Sequence, residues 1–220
     1  MGHSIWVFIH ILLLVYWLGA DLGVLLLARA ARRSELGFAE RAFALRMALT
    51  IDFTPRVCSA VMFPVGLHVT DSLGLVAVPD WVLGVAWSVA LGWIALLFAM
   101  GKAEGTPRAA VLGRLNLGLQ AVLLLVIGWF GLQAVLGNGP LPGGWFGWKI
   151  LLFAMIFAMS IAIDVAFRPV GPAFARLAAE GSKPDIETTI AGAVDGAIRY
   201  VLALYALLIV IAFLGVAKPF

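Results

Sequence analysis

The stretch SIWVFIHILLLVYWLGADLGVLLLAR, residues 4–29, is an apolar run interrupted by an imidazole at His10 and a carboxylate at Asp21 before it ends on Arg29. A helix rises about 1.5 Å per residue, so a run of this length crosses a hydrocarbon core roughly 30 Å thick. Five comparable runs follow, near 48–71, 81–101, 114–137, 145–168 and 189–217. Leu, Ala and Gly dominate them, and the strict alternation of a lipid-spanning strand is missing, which argues against a barrel. The expectation is an all-α fold: a polytopic membrane helical bundle of six transmembrane helices, forming a single domain over residues 1–220. No Lys or Arg precedes the first run and it exceeds a secretory signal core, so it is expected to stay as helix 1.

Bulk composition agrees. Hydrophobic residues make up 63% of the chain and charged residues 12%, against roughly 45–50% and 25% in soluble domains. The net charge of +3 comes from basic loops and does not point to nucleic acid. Arg29, Arg32, Arg33, Arg41 and Arg46 fall in segment 29–46, Lys102, Arg108 and Arg114 in 102–114, and Arg168, Arg176 and Lys183 in 168–188. Segments 72–80 and 138–144 contain no Lys or Arg. The positive-inside rule then places both termini outside, in a multi-pass protein of the bacterial inner (cytoplasmic) membrane. Segment 169–184 is expected to form a short amphipathic helix at the surface. The single Cys58 excludes a disulfide framework and a cysteine metal cluster, and reads as a packing residue.

The ionisable groups inside the runs are the functional candidates, because charge in hydrocarbon is costly. His10, His68 and Lys149 come from three runs, yet a topology count puts each very roughly 5–9 Å inside the same face. Trp6, His10, Trp17 and Asp21 share a stripe about 60° wide, which should look into the bundle. Neutral imidazoles from two helices can hold haem iron from both sides, with His10 and His68 as axial ligands and Lys149 facing a propionate or an anionic substrate group. The alternative for Lys149, beside Trp145 and Trp148, is snorkelling to the interface. On an ideal helix His68 lies opposite the Asp52, Arg56, Phe63, Gly66 and Thr70 stripe, and Pro55 and Pro64 are placed to alter that. His3 reads as a solvated terminus.

A second polar layer nearer the basic loops contains Asp21, Asp52, Arg56, Asp164, Asp195 and Arg199. Asp52–Arg56 and Asp195–Arg199 have the i,i+4 spacing of ion pairs. Two readings stand for this layer: ion pairs that lock the helices together, and a proton path toward the histidines. Asn116, Gln120 and Gln133 are expected to hydrogen-bond between helices.

Two segments resemble a known family. His10-Ile-Leu-Leu-Leu-Val-Tyr-Trp17-Leu-Gly19 resembles the His-x6-Trp-x-Ala-Gly-type opening helix of the HemJ-type protoporphyrinogen oxidases and, more loosely, of CopD-like copper-resistance membrane proteins. Trp145-Phe-Gly-Trp-Lys149 resembles the same family's Trp-x3-Lys helix start, and Arg46, Pro55 and Gly66 are similar in order to its second helix. The resemblance implies haem b, functional roles for His10 and Lys149, and oxidation of a porphyrinogen with electrons passed to a quinone or a redox partner protein. Trp17 and Gly19 would shape the haem pocket. The chain departs from the family in its extra spans, in the charged Asp52-Phe-Thr-Pro-Arg56, and in Gly147 at a family histidine position. The expectation is therefore a haem-dependent membrane oxidoreductase or electron-transfer protein, with a homo-oligomer or a membrane-complex subunit as its assembly. The alternatives are a copper-handling or small-solute transport protein that uses His10 and His68 as metal ligands, and a non-catalytic structural subunit.

Overall fold

The computed structural model describes residues 2–103 and 105–219, with backbone only for Gly2 and His3, so the expectation for the His3 side chain lies outside the described residues. The helices are α1 (Gly2–Ala31), α2 (Phe38–Ser72), α3 (Asp80–Lys102), α4 (Pro107–Val135), α5 (Gly144–Phe167), α6 (Val170–Glu180) and α7 (Pro184–Ala217). No strand occurs among the described residues. Five stretches are long and apolar enough to cross a membrane: Ser4–Ala31, Asp80–Lys102, Pro107–Val135, Gly144–Glu180 and Pro184–Ala217. At 35 residues α2 is the longest single helix, and its charges set it apart. The protein is a polytopic helical membrane bundle.

The long helices close into a ring. α1 lies along α2, α3 bridges α2 and α4, α5 packs between α4 and α7, and α7 returns to touch α1. Consecutive long helices run in opposite directions, so both termini lie at one face, here the terminal face. The arginine-bearing connections lie at the other, the basic face. Small residues allow the tightest approach, between α4 and α5, where burying apolar surface against lipid tails gives no net gain and close packing must hold the helices together. A Cβ at Gly131 would stand 2.6 Å from the Leu151 backbone nitrogen, and one at Gly147 would stand 3.0 Å from the Ala134 carbonyl carbon.

The loops at the basic face are shorter than the charge pattern suggested. α2 begins at Phe38 and α4 at Pro107, so Arg41, Arg46, Arg108 and Arg114 are helical. Arg41, which the sequence placed in a solvated loop, is 2% exposed. Its Nε donates to the Ala31 carbonyl at 2.9 Å, and both terminal nitrogens reach the Glu187 carboxylate at 2.8 Å. It thus satisfies a carbonyl that the end of α1 leaves unpaired and clamps α1, α2 and α7 together. The expected amphipathic helix is α6, which buries Val170, Ala173, Phe174 and Leu177 against Ile186 and Ile190 of α7.

Gly131→Ala should destabilise the bundle by about 1–3 kcal/mol, because the new methyl meets backbone that cannot move aside. Gly118→Ala, where nothing lies within 4 Å of the added carbon, should leave stability unchanged or slightly raised. Thermal unfolding of the detergent-solubilised variants, followed by circular dichroism, measures the difference.

Candidate functional site

The predicted α1 stripe does face the bundle interior, and it organises three levels. At the terminal face the His10 ring lies against Gly66 of α2: a Cβ there would meet His10 Cε1 at 3.5 Å. His10 Nδ1 is buried without a hydrogen-bond partner. Lys149 reaches over Gly215 of α7, with Nζ 2.5 Å from the place a Cβ would occupy, so the absence of a side chain at Gly215 makes room for the ammonium. Lys149 is the charge whose field reaches His10. It forms no hydrogen bond or ion pair among the described residues. The one neighbouring charge acting on it is another cation, Lys218, which sits 5.6 Å over the Trp145 ring.

His68 does not join this arrangement. Its ring stacks on Trp6, with centroids 4.0 Å apart and planes 4° apart, and its Nε2 accepts from Trp87 Nε1 at 3.1 Å. α2 is covered by α1 on one side and α3 on the other, and His68 joins the two. His68 thus meets the α1 stripe at Trp6, one turn before His10, while Gly66 is the residue of α2 that meets His10 itself. Of the two imidazoles, the one with an unpartnered buried nitrogen is His10. Gly19 is exposed with nothing within 4 Å; it faces away from the bundle and shapes no interior pocket. Among the described residues no group of three or more His, Cys, Asp or Glu is placed to hold a metal ion.

The middle level is apolar. Trp17, 4% exposed, packs with Cys58 and Met62 of α2, Ile156 of α5 and Leu204 and Leu208 of α7. It separates the terminal-face level from a charged one.

That third level centres on Arg56. Its Nε donates to Asp52, one helical turn earlier, and its Nη2 to Asp164 Oδ1 of α5 at 2.9 Å. Asp164 Oδ2 in turn accepts from Asn116 Nδ2 and Gln120 Nε2 of α4, both at 3.2 Å, and Asn116 Oδ1 accepts from Trp93 Nε1 of α3 at 2.9 Å. Four helices are thereby joined through one carboxylate and one guanidinium. The expected role of Asn116 and Gln120 holds, whereas Gln133 packs beside the turn at Gly139. The Asp52–Arg56 pair forms as its spacing implied. Asp195 does not pair with Arg199: it takes Arg32, in the turn that follows α1, and Arg199 is exposed.

Comparisons with known protein families, with curated proteins and with solved structures find no match to this chain. The reading of the site therefore rests on its chemistry. The terminal-face level offers an unpartnered imidazole nitrogen beside an unpaired ammonium, and the basic-face level offers an interlocked polar network.

Sequence reasoning missed the double anchoring of His68. A signal existed in the tryptophans Trp6 and Trp87, but nothing local says that two helices will bring them to one ring.

Arg56→Gln should cost about 3 kcal/mol, because it strands carboxylates in a low-dielectric interior. Asp164→Asn placed in the same chain should recover part of that loss. Denaturant titration of the purified wild type and the two variants tests both statements.

Proposed function

We propose that the protein is a membrane electron-transfer or oxidation protein that holds haem b through His10 alone, with Lys149 facing a propionate or an anionic substrate. The observation that carries this reading is the pairing of a buried imidazole nitrogen that lacks a partner with a half-buried ammonium that lacks a counter-ion among the described residues, on one level of the bundle. A haem held between His10 and His68 does not fit the arrangement, because Trp87 engages the Nε2 of His68 and Trp6 covers its ring. A single imidazole with a nearby cation suits a tetrapyrrole that has one open axial position and carboxylate side chains.

When bound, the haem would supply one-electron redox chemistry. The chain's own residues would do the rest. His10 would ligate iron as neutral imidazole, its ring held by the flat surface that Gly66 leaves. Lys149 would orient an anionic group, and the absence of a side chain at Gly215 gives it room to move. Trp17 and its neighbours would keep water and the charged level away from the ligand, which preserves a low dielectric and so influences the redox potential. The resemblance of the His10–Gly19 and Trp145–Lys149 segments to the HemJ-type oxidases and CopD-like proteins supports the same assignment, with a quinone or a redox protein as acceptor. A bacterial inner membrane with both termini outside is the location that fits the arginine distribution.

A second reading, a copper-handling protein, draws on the same His10 nitrogen. It lacks a third ligand among the described residues.

Absorption spectra of the detergent-solubilised protein, oxidised and reduced, are the test. The expected result is a Soret band that His10→Ala abolishes and His68→Phe retains, with Lys149→Gln shifting or weakening it. A protein purified from haem-replete cells with no Soret band, or a band lost equally in His68→Phe, would overturn the reading. Copper in place of iron on metal analysis would favour the second one.

A further inference from the structure

The level centred on Arg56 has more negative charge than its ion pairs can balance. Asp21 of α1, Asp52 and Arg56 of α2 and Asp164 of α5 line a cavity of about 80 Å³, together with Ser59 and Ser160. Arg56 divides its donors between Asp52 and Asp164. No ion pair reaches Asp21 among the described residues, although its side chain lines the same cavity and the residue is 8% exposed. The Tyr205 hydroxyl of α7 faces Asp21, buried and without any other hydrogen-bond partner. A separate observation comes from α4, where Gln120 is 1% exposed and its Oε1 also lacks a donor. The groups facing Asp21 are thus two carboxylates, one guanidinium and one phenol. Three ionised aspartates around a single cation would leave two uncompensated charges inside the membrane, which the interior does not sustain.

We propose that this chamber binds an exchangeable proton, with Asp21 as the carboxylate that takes it up and releases it. The reaction is the association of one proton from water with the Asp21 carboxylate, and its return to water on release. A protonated Asp21 gains an O–H donor that the cavity can satisfy at Asp52 or through water, while Tyr205 and the two serines supply further hydroxyls to carry the proton across the space. A cavity of 80 Å³ has room for about two waters at roughly 30 Å³ each. A metal cation is the less suitable occupant, because the acids do not converge as a ligand set among the described residues. Arg56 stays charged and fixes the positions of Asp52 and Asp164, so the change in protonation centres on the one acid of the chamber to which it gives no hydrogen bond. The apolar level around Trp17 closes the chamber toward His10. The proposal does not depend on haem.

Infrared difference spectroscopy on the full-length protein in detergent, as a function of pH, reads this directly. The wild type should show a protonated-carboxyl C=O band that grows on acidification and shifts in D2O. Asp21→Asn should remove most of that band, whereas Asp80→Asn, at the exposed start of α3, should leave it intact. Should Asp21→Asn fail to fold, judged by gel filtration, Asp21→Glu decides: the band should persist at a shifted frequency. Absence of a pH-dependent band in the wild type, or its persistence unchanged in Asp21→Asn or Asp21→Glu, would overturn the proposal. So would suppression of the band by Na+ at constant pH, which would assign the chamber to a metal cation.

Discussion

The guanidinium of Arg56 is the interaction on which the interior of this bundle depends. It carries the charge of α2 across to α5 and, by fixing Asp164, fixes the amides that α4 sends toward the same carboxylate. In hydrocarbon an unsatisfied polar group costs several kcal/mol, so these residues are tolerated as a set. That explains how α2 keeps its place despite its charges. Partners for its arginines come from across the ring, Asp164 of α5 and Glu187 of α7, and its remaining surface is covered by α1 and α3.

The second constraint is the separation of two polar levels by an apolar one. His10 and Asp21 lie on one stripe of α1, about 16 Å apart along the helix axis at the usual rise, with Trp17 between them. Because Trp17 packs against residues of α2, α5 and α7 together, the two levels have separate surroundings. Among the described residues the terminal-face level is short of negative charge and the basic-face level has a surplus of it. Opposite imbalances on the two sides of an apolar wall are a costly arrangement for a bundle that needs only to hold together. Ion pairs within each level would serve that purpose with less strain.

Much of this was legible in the chain. A 3.6-residue period marks the His10, Trp17 and Asp21 face without any knowledge of neighbours, and the i,i+4 spacing of Asp52 and Arg56 predicts their contact because both partners are on one helix. The same rule failed at Asp195 and Arg199, where Arg32 from the distant α1–α2 turn reaches the carboxylate instead. Arg41 was read as a loop cation by counting positive charge, a method that treats every arginine between apolar runs as solvated. Gly19 was read as a contact point from its place near the tryptophan, yet it lies two residues from Trp17 and so on a different side of α1.

The sequence by itself determined that the chain is a helical membrane bundle, how many long helices it has, and which face of α1 is turned inward. These follow from the length and period of apolar runs, properties local to each segment. Only the tertiary structure decided which polar groups meet: that His68 is held by Trp6 and Trp87, that Lys149 stands over Gly215, and that Asp21 faces the Arg56 level without an ion pair of its own. Each of these depends on the rotation and depth of one helix against another, which are set by side-chain packing between segments distant in the chain and leave no periodic mark in either one.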